Sequence, residues 1–595
     1  MLPLEDYALI GDCETAALVG RNGSIDWLSF PRFDSAACFA ALLGTAENGR
    51  WLITPQDPIL EVKRSYHPGT LVLETQFTTA DGVVSVIDFM PVRSGLPDLV
   101  RIVAGRRGRV RMRLELVIRF DYGSIVPWVQ KRPRGISAIG GPDSLTLRSD
   151  IPLRGEDFRT VADFDVSEDQ RLAFDLTWHP SHVAFESKLD VEEALKRTGE
   201  WWREWSERCT VGGPWRDAVL RSLITLKALT YAPTGAIVAA PTTSLPERFG
   251  GVRNWDYRYC WLRDATFTLL ALMNAGYTEE ARAWRNWLLR SVAGKPEQIQ
   301  IMYGIRGERR LPEFELPWLT GYGGSRPVRV GNVASRQRQL DVFGELLDAI
   351  HQAWRMGVPP DPTAWGVEKA LVAHLETAWQ EPDEGLWEVR GPRRHFTHSK
   401  MMAWVALDRA VKGIESFGLE GPLDRWRAVR DAIHRDVCVN GYNPGVGAFV
   451  QSYGSELLDA SLLMMPLVGF LPVTDERVRG TISAIEQQLA VDGFVRRYRT
   501  VPDVDGLPPG EATFLLCSFW LADNLQLLGR HDDAKRLFER LLSIRNDVGL
   551  LSEGYDIERR RLAGNFPQAF SHVGLINTAM NLTSGQAPAM ERAED

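Results

Sequence analysis

The spacing of apolar residues changes its period near residue 190, so the chain must be built from two different kinds of layer. Before that point the period is two. In segment 110–120, Val110, Met112, Leu114, Leu116, Ile118 and Phe120 fall on one side, and Arg111, Arg113, Glu115 and Arg119 on the other. Successive side chains of a strand point to opposite faces, so this is a half-buried antiparallel strand. Apolar runs at 71–77 and 83–89 flank Asp81-Gly82, a hairpin turn signal. Leu172, Phe174, Leu176 and Trp178 alternate again until Pro180 stops the strand. The expectation for residues 1–188 is an antiparallel β-sandwich.

Beyond it the period becomes helical. Residues 190–208, with Trp201, Trp202 and Trp205, read as an amphipathic helix, placed as a linker at 189–210 between two domains. Further on, apolar residues recur every three or four positions, as in Val219/Leu223/Leu226, Phe343/Leu346/Ile350, Leu371/Leu375/Trp379, Ile482/Ile485/Leu489 and Leu537/Leu541/Ile544. Between these stripes lie long segments rich in Gly, Pro and Trp, at 236–258, 303–335, 381–397 and 497–511. Loops of that length in a compact domain are usually functional, and gathered at one end of a helical scaffold they form a pocket. The helical domain is set at 211–585, and the tail after about 583 reads as frayed.

At 595 residues the chain has room for two such domains. Its net charge of −8 argues against nucleic-acid binding, which needs clustered Lys and Arg. The Arg-rich stretches 106–113 and 305–310 read as solvated strand and loop faces. Six cysteines are scattered with no CxxC pair, so neither a metal nor a redox site is expected. The start lacks a signal-peptide pattern and no apolar run reaches membrane-spanning length, which places the protein in the reducing cytoplasm, away from membranes. The 20 Trp serve either a large core or flat walls for sugar rings.

Four loop-to-helix junctions concentrate polar and aromatic residues. Asn254–Asp264 contains Tyr257, Trp261, Arg263 and Asp264. The Arg/Asp pair is either a structural ion pair at a helix start or a grip on sugar hydroxyls. Gly385–Gly391 carries Glu388 beside Trp387; a carboxyl against an aromatic plane suits a general acid, and a surface pair with Arg390 is the plain alternative. Arg496-Arg497-Tyr498 precedes Glu511, and Leu551–Asp556 carries Glu553 in a small-residue loop ahead of the segment holding His572. Two carboxylates on separate loops are what glycoside hydrolysis needs, but among 77 acidic residues that template alone selects none.

The ordered segments NWDYRYCWLRD, GYGGSRPVRVGN, GLWEVRG, EATFLLCSFW and GNFPQAFSHVGLI resemble glycoside hydrolase family 15, and the opening YALIGDCETAALVGRNGSIDWLSFPRFDS resembles its trehalase-like branch. The resemblance implies an N-terminal β-sandwich followed by a six-hairpin (α/α)6 barrel, and single-step hydrolysis of an α-glucoside with inversion, without cofactor or metal. It implies Glu388 as general acid and Glu553 as general base. Arg263 and Asp264 would hold the non-reducing glucose, with Arg497 as a further sugar-binding arginine and Trp261 and Trp387 as walls. Tyr257, Glu511, Tyr322 and His572 join them as substrate-binding candidates. Gly554 departs from the Glu or Gln that the family often has after its base.

Within this reading the substrate is a small soluble glucoside, trehalose first, with starch chains or isomaltose as alternatives. A disaccharide phosphorylase would need only the acid, and a non-catalytic sugar-binding relative neither carboxylate. The sequence leaves oligomeric state open, a homo-oligomer included.

Overall fold

The computed structural model describes residues 1–508 and 510–583. The spine of the N-terminal region is one long strand, Asp98–Val117. Its first half pairs antiparallel with Gly82–Phe89 and Arg171–Pro180, its second half with Arg50–Pro55 and Arg159–Ser167. One strand thus serves both layers of an antiparallel sandwich. The change of partners falls at Gly108 (φ 67°), where a Cβ would collide with the Asp81 carbonyl.

The sheet follows the sequence alternation as far as Val117, where the strand ends; Arg119 beyond it, expected on the solvent side, is buried and donates to the Ile118 carbonyl at 2.8 Å. Val110, Met112, Leu114 and Leu116 are buried and Arg111 is exposed. Glu115 is buried because Arg50 (2.6 Å) and Arg159 (3.3 Å) pair with it. Strand Leu73–Thr78 pairs with Gly82–Phe89 around the expected Asp81-Gly82 turn.

Helix Val191–Glu207 leads from the sheet into the helical part. Asp190 caps its N-terminus through the Glu193 N–H. Trp205 stacks on Tyr277 at 4.1 Å and donates to Glu280 at 2.8 Å, which fixes the helix to the next domain.

Beyond it, six segments pack side by side into a closed ring: Leu262–Asn274, Asp341–Arg355, Thr397–Phe417, Ala460–Leu467, Leu515–Leu527 and Ala569–Thr583, with the last returning to the first. Outer helices such as Thr278–Ser291, Pro362–Ala378, Leu423–Asn440 and His531–Ser543 alternate with them in sequence. Inner helices such as Leu262–Asn274 and Leu515–Leu527 are buried nearly all round, as members enclosed on every side are. This is an (α/α)6 barrel. Four of the inner helices, starting at Leu262, Asp341, Thr397 and Leu515, begin shortly after the four long irregular segments, so those segments gather at one end of the ring. Among the described residues no helix is long and apolar enough to cross a membrane. The tail after 583, read as frayed, lies outside the described residues.

Candidate active site

Side chains at or just ahead of several inner-helix starts converge over the end of the ring. They line a cavity of about 660 Å³. Tyr257, Trp261, Arg263, Asp264, Trp387, Glu388 and Arg497 all face it, as do Glu247, Trp255, Phe514, Gln568 and Phe570. Helix N-termini carry partial positive charge, so this end of the barrel suits carboxylates and other negative density.

Glu388 sits on a loop closed by the Asp383–Arg394 backbone pair. Its φ of 58° is unusual for a residue with a Cβ and costs about 1–3 kcal/mol, a strain that functional sites typically retain. Trp261 Nε1 donates to Glu388 Oε1 at 2.7 Å, and Arg263 Nη2 approaches the same oxygen at 3.4 Å. Its side chain remains 20% exposed.

Arg263 is anchored from behind. It donates to the Leu386 carbonyl at 2.9 Å and faces Asp341 at 3.7 Å and Asp264 at 3.9 Å. Burial pushes the Asp264 carboxyl up to about 7, while Arg263 opposes that shift. Asp341 is fully buried, and Arg263 is its charge partner.

Glu553 ends the segment before hairpin Gly554–Asp556/Arg561–Ala563, and the hairpin returns the chain to Asn565 beside it. Tyr257 donates to Oε1 at 2.6 Å and the Asn565 N–H to Oε2 at 3.1 Å. A side chain at Gly564 would collide with this carboxylate. Glu553 is 2% exposed, and burial, with Glu247 adding to it, pushes its carboxyl up to about 8. The two glutamates are bridged by an edge-to-face ring pair, Tyr257 on Trp261 at 5.2 Å, each ring donating to one carboxylate.

Arg497 lies over Trp387 and Phe514, at 5.5 Å from each ring, and pairs with Glu247 (2.8 Å) and Glu511. Glu511 is occupied by this pair and by Arg253 at 3.7 Å. It faces a neighbouring cleft with Arg248, Tyr498 and Tyr555 and not the cavity itself.

Two expected residues are corrected. Tyr322 donates to the Leu2 carbonyl at 2.9 Å and packs on Phe249, at the contact between the domains. His572 is fully buried beneath the Glu553 segment, accepting from the Leu551 N–H at 3.2 Å and meeting Ser222 at 2.9 Å. Burial holds it neutral, down to about 3. Neither reaches the cavity, because a matched segment carries framework residues as well as ligand contacts.

Glu247 and Trp255 were missed. Glu247 accepts from Trp255 Nε1 at 3.2 Å, and Trp255 is sandwiched between the guanidinium groups of Arg329 (4.6 Å) and Arg390 (4.8 Å). Their one sequence signal is membership of the long segment 236–258. Among the described residues no group of three or more His, Cys, Asp or Glu is arranged to hold a metal.

The family model for glycosyl hydrolases family 15 matches residues 213–580, and that for a trehalase-like N-terminal region matches residues 1–169. A trehalase of Mycolicibacterium smegmatis is 39% identical over 99% of this chain and 92% of its own length. A trehalase of Thermoplasma volcanium is 34% identical over 97% and 93%. The crystal structure of a bacterial glucoamylase complexed with acarbose superposes with a TM-score of 0.72 at 13% identity, covering 99% of this chain and 95% of that one, which shows a shared fold.

Proposed function

Since the chain belongs to glycosyl hydrolase family 15, we propose that it hydrolyses α,α-trehalose with inversion, Glu388 acting as general acid and Glu553 as general base. The carrying observation is that Glu388 lines the cavity while Glu553 lines a small pocket directly behind it, sharing Glu247, Arg497 and Phe514 with the cavity wall, and that the Tyr257–Trp261 ring pair stands between the two carboxylates and keeps them apart. Inverting hydrolysis needs that separation, roughly 6.5–9.5 Å between carboxyls, to admit a water opposite the leaving group.

In this reading Arg263 and Asp264 hold the hydroxyls of the glucose being cleaved, and Trp387 and Trp261 wall the ring. Glu388 gives its proton to the bridging oxygen as the bond from that oxygen to the anomeric carbon breaks. A water attacks the anomeric carbon from the opposite face and loses its proton to Glu553. A buried carboxylate whose ionisation lies near neutrality is a better base, once ionised, than an ordinary one. Relatives named trehalase, matching almost the whole chain, support trehalose as the glucoside. The six unpaired cysteines support a reducing compartment, the cytoplasm.

Proton NMR of the first turnovers tests this. Inversion releases one α- and one β-glucose per trehalose, whereas retention releases two α-glucoses and would overturn the mechanism. Turnover of maltose or isomaltose with none of trehalose would overturn the substrate. Phosphate-dependent release of glucose 1-phosphate would overturn hydrolysis itself.

A further inference from the structure

The segments that fix Glu553 are gripped by the other domain. Ahead of it, Asn546 donates to the Tyr7 carbonyl at 2.8 Å, and Asp547 pairs with Arg64 (2.6 Å) and Arg21 (2.8 Å). After it, Glu5 accepts from Arg561 at 3.0 Å and from the Leu562 N–H on the returning hairpin strand. The third grip is one residue from Tyr257. Arg258 is fully buried, its Nε and Nη2 forked on Asp256 at 2.9 and 2.7 Å. Its remaining donors cross into the sheet domain, Nη1 to the Ser35 carbonyl and Nη2 to the Tyr122 hydroxyl, both at 2.8 Å. The loop of Glu388, by contrast, takes its hydrogen bonds from within the barrel: Gln337 to the Val389 carbonyl at 3.0 Å and Arg390 N–H to the Asp505 carbonyl at 2.9 Å.

We propose that Arg258 is a positioning residue through which the N-terminal sheet domain sets the place of Tyr257 and, through its hydroxyl, of Glu553; this rests on Glu553 being the base. Tyr257 faces the cavity and Arg258 faces the sheet domain, so the two side chains share one stretch of backbone. A guanidinium is a rigid planar fork, and with Asp256 on one side and two sheet-domain acceptors on the other it holds that stretch at fixed depth. Asp256 is itself held by the Gly331 N–H at 3.1 Å. Displacing a catalytic group by about 1 Å costs roughly 100-fold in rate, so a strut this close to Tyr257 acts on turnover as well as on stability.

Tyr122→Phe tests the proposal, because it deletes one acceptor of Arg258 inside the sheet domain and leaves every cavity residue intact. The expected result is a fall in kcat of about 10-fold with KM changed by less than about two-fold. The acid limb of kcat/KM should also move to higher pH. The Tyr257 hydroxyl favours the ionised form of Glu553, and the other groups facing that carboxylate, Glu247, Arg497 and the Asn565 N–H, are unchanged. Arg258→Lys, which keeps the charge and loses the planar fork, should move both readings the same way, and it decides the matter if Tyr122→Phe does not fold. A lower melting temperature with unchanged kcat and acid limb would make the contact merely structural and overturn the proposal. Glu553→Gln run alongside separates the two failures. Near-normal turnover there removes the base assignment, whereas an inactive Glu553→Gln beside an unaffected Tyr122→Phe removes only the role of Arg258.

Discussion

Glu388 sits on a short loop of the barrel, its backbone strained and its carboxylate partly open to solvent. Glu553 sits at the root of a hairpin, sealed from solvent, with both oxygens hydrogen-bonded. The two surroundings suit the two duties proposed for these carboxyls. A general acid must recover a proton from solvent after each turnover, and access serves it. A general base works on one water and must be aimed, and enclosure serves that. The Tyr257–Trp261 pair joins the two regions, one ring hydrogen-bonded to each.

The strongest way to break this division is to neutralise either carboxylate. Glu388→Gln and Glu553→Gln should each lower kcat by about 10²–10⁴-fold with sugar binding retained, measured as initial rates and by calorimetric titration with glucose. Near-normal rates in either variant would remove that residue from its duty. Next come the bridging rings. Tyr257→Phe and Trp261→Phe each delete one hydrogen bond to a charged group, worth about 1.5–3 kcal/mol, and should slow turnover by roughly 10- to 100-fold. They should differ in pH profile: loss of the Tyr257 hydroxyl moves the acid limb upward, because the ionised base loses a donor.

A smaller effect is expected at Glu247. Base catalysis requires ionised Glu553, so kcat/KM should rise with pH through its ionisation, held up near 8 by burial and by Glu247. Removing the like charge in Glu247→Gln should shift that limb to lower pH; an upward shift would contradict the coupling. The smallest effect belongs to Tyr322→Phe, which loses the bond to the Leu2 carbonyl and a long one, 3.4 Å, from Arg561. Stability should fall by about 1 kcal/mol, with kcat and KM within about two-fold.

The fold was legible because its two halves differ in period, and each period reports burial directly: alternation at 110–116 lies on a half-buried strand, and stripes such as Phe343/Leu346/Ile350 lie on an inner helix. The site was legible only where the chain announces it locally. Trp261, Arg263 and Asp264 share one short segment and line the cavity together, and Glu388, singled out by resemblance, lines it with them. What escaped depends on contacts between distant positions. Glu247 matters because the chain folds Arg497 onto it, 250 residues away, and Tyr322 leaves the site because the N-terminus claims its hydroxyl. No local pattern records either event.

The inner helices all begin at the same end of the ring, where the long segments gather. Substrate choice and structural integrity are thereby assigned to separate parts of one polypeptide. A segment at the rim can lengthen, shorten or exchange a side chain without disturbing the interlocked helices below. Such a frame is open to innovation at its mouth while its base stays constant, which allows one architecture to be refitted for many glucosides.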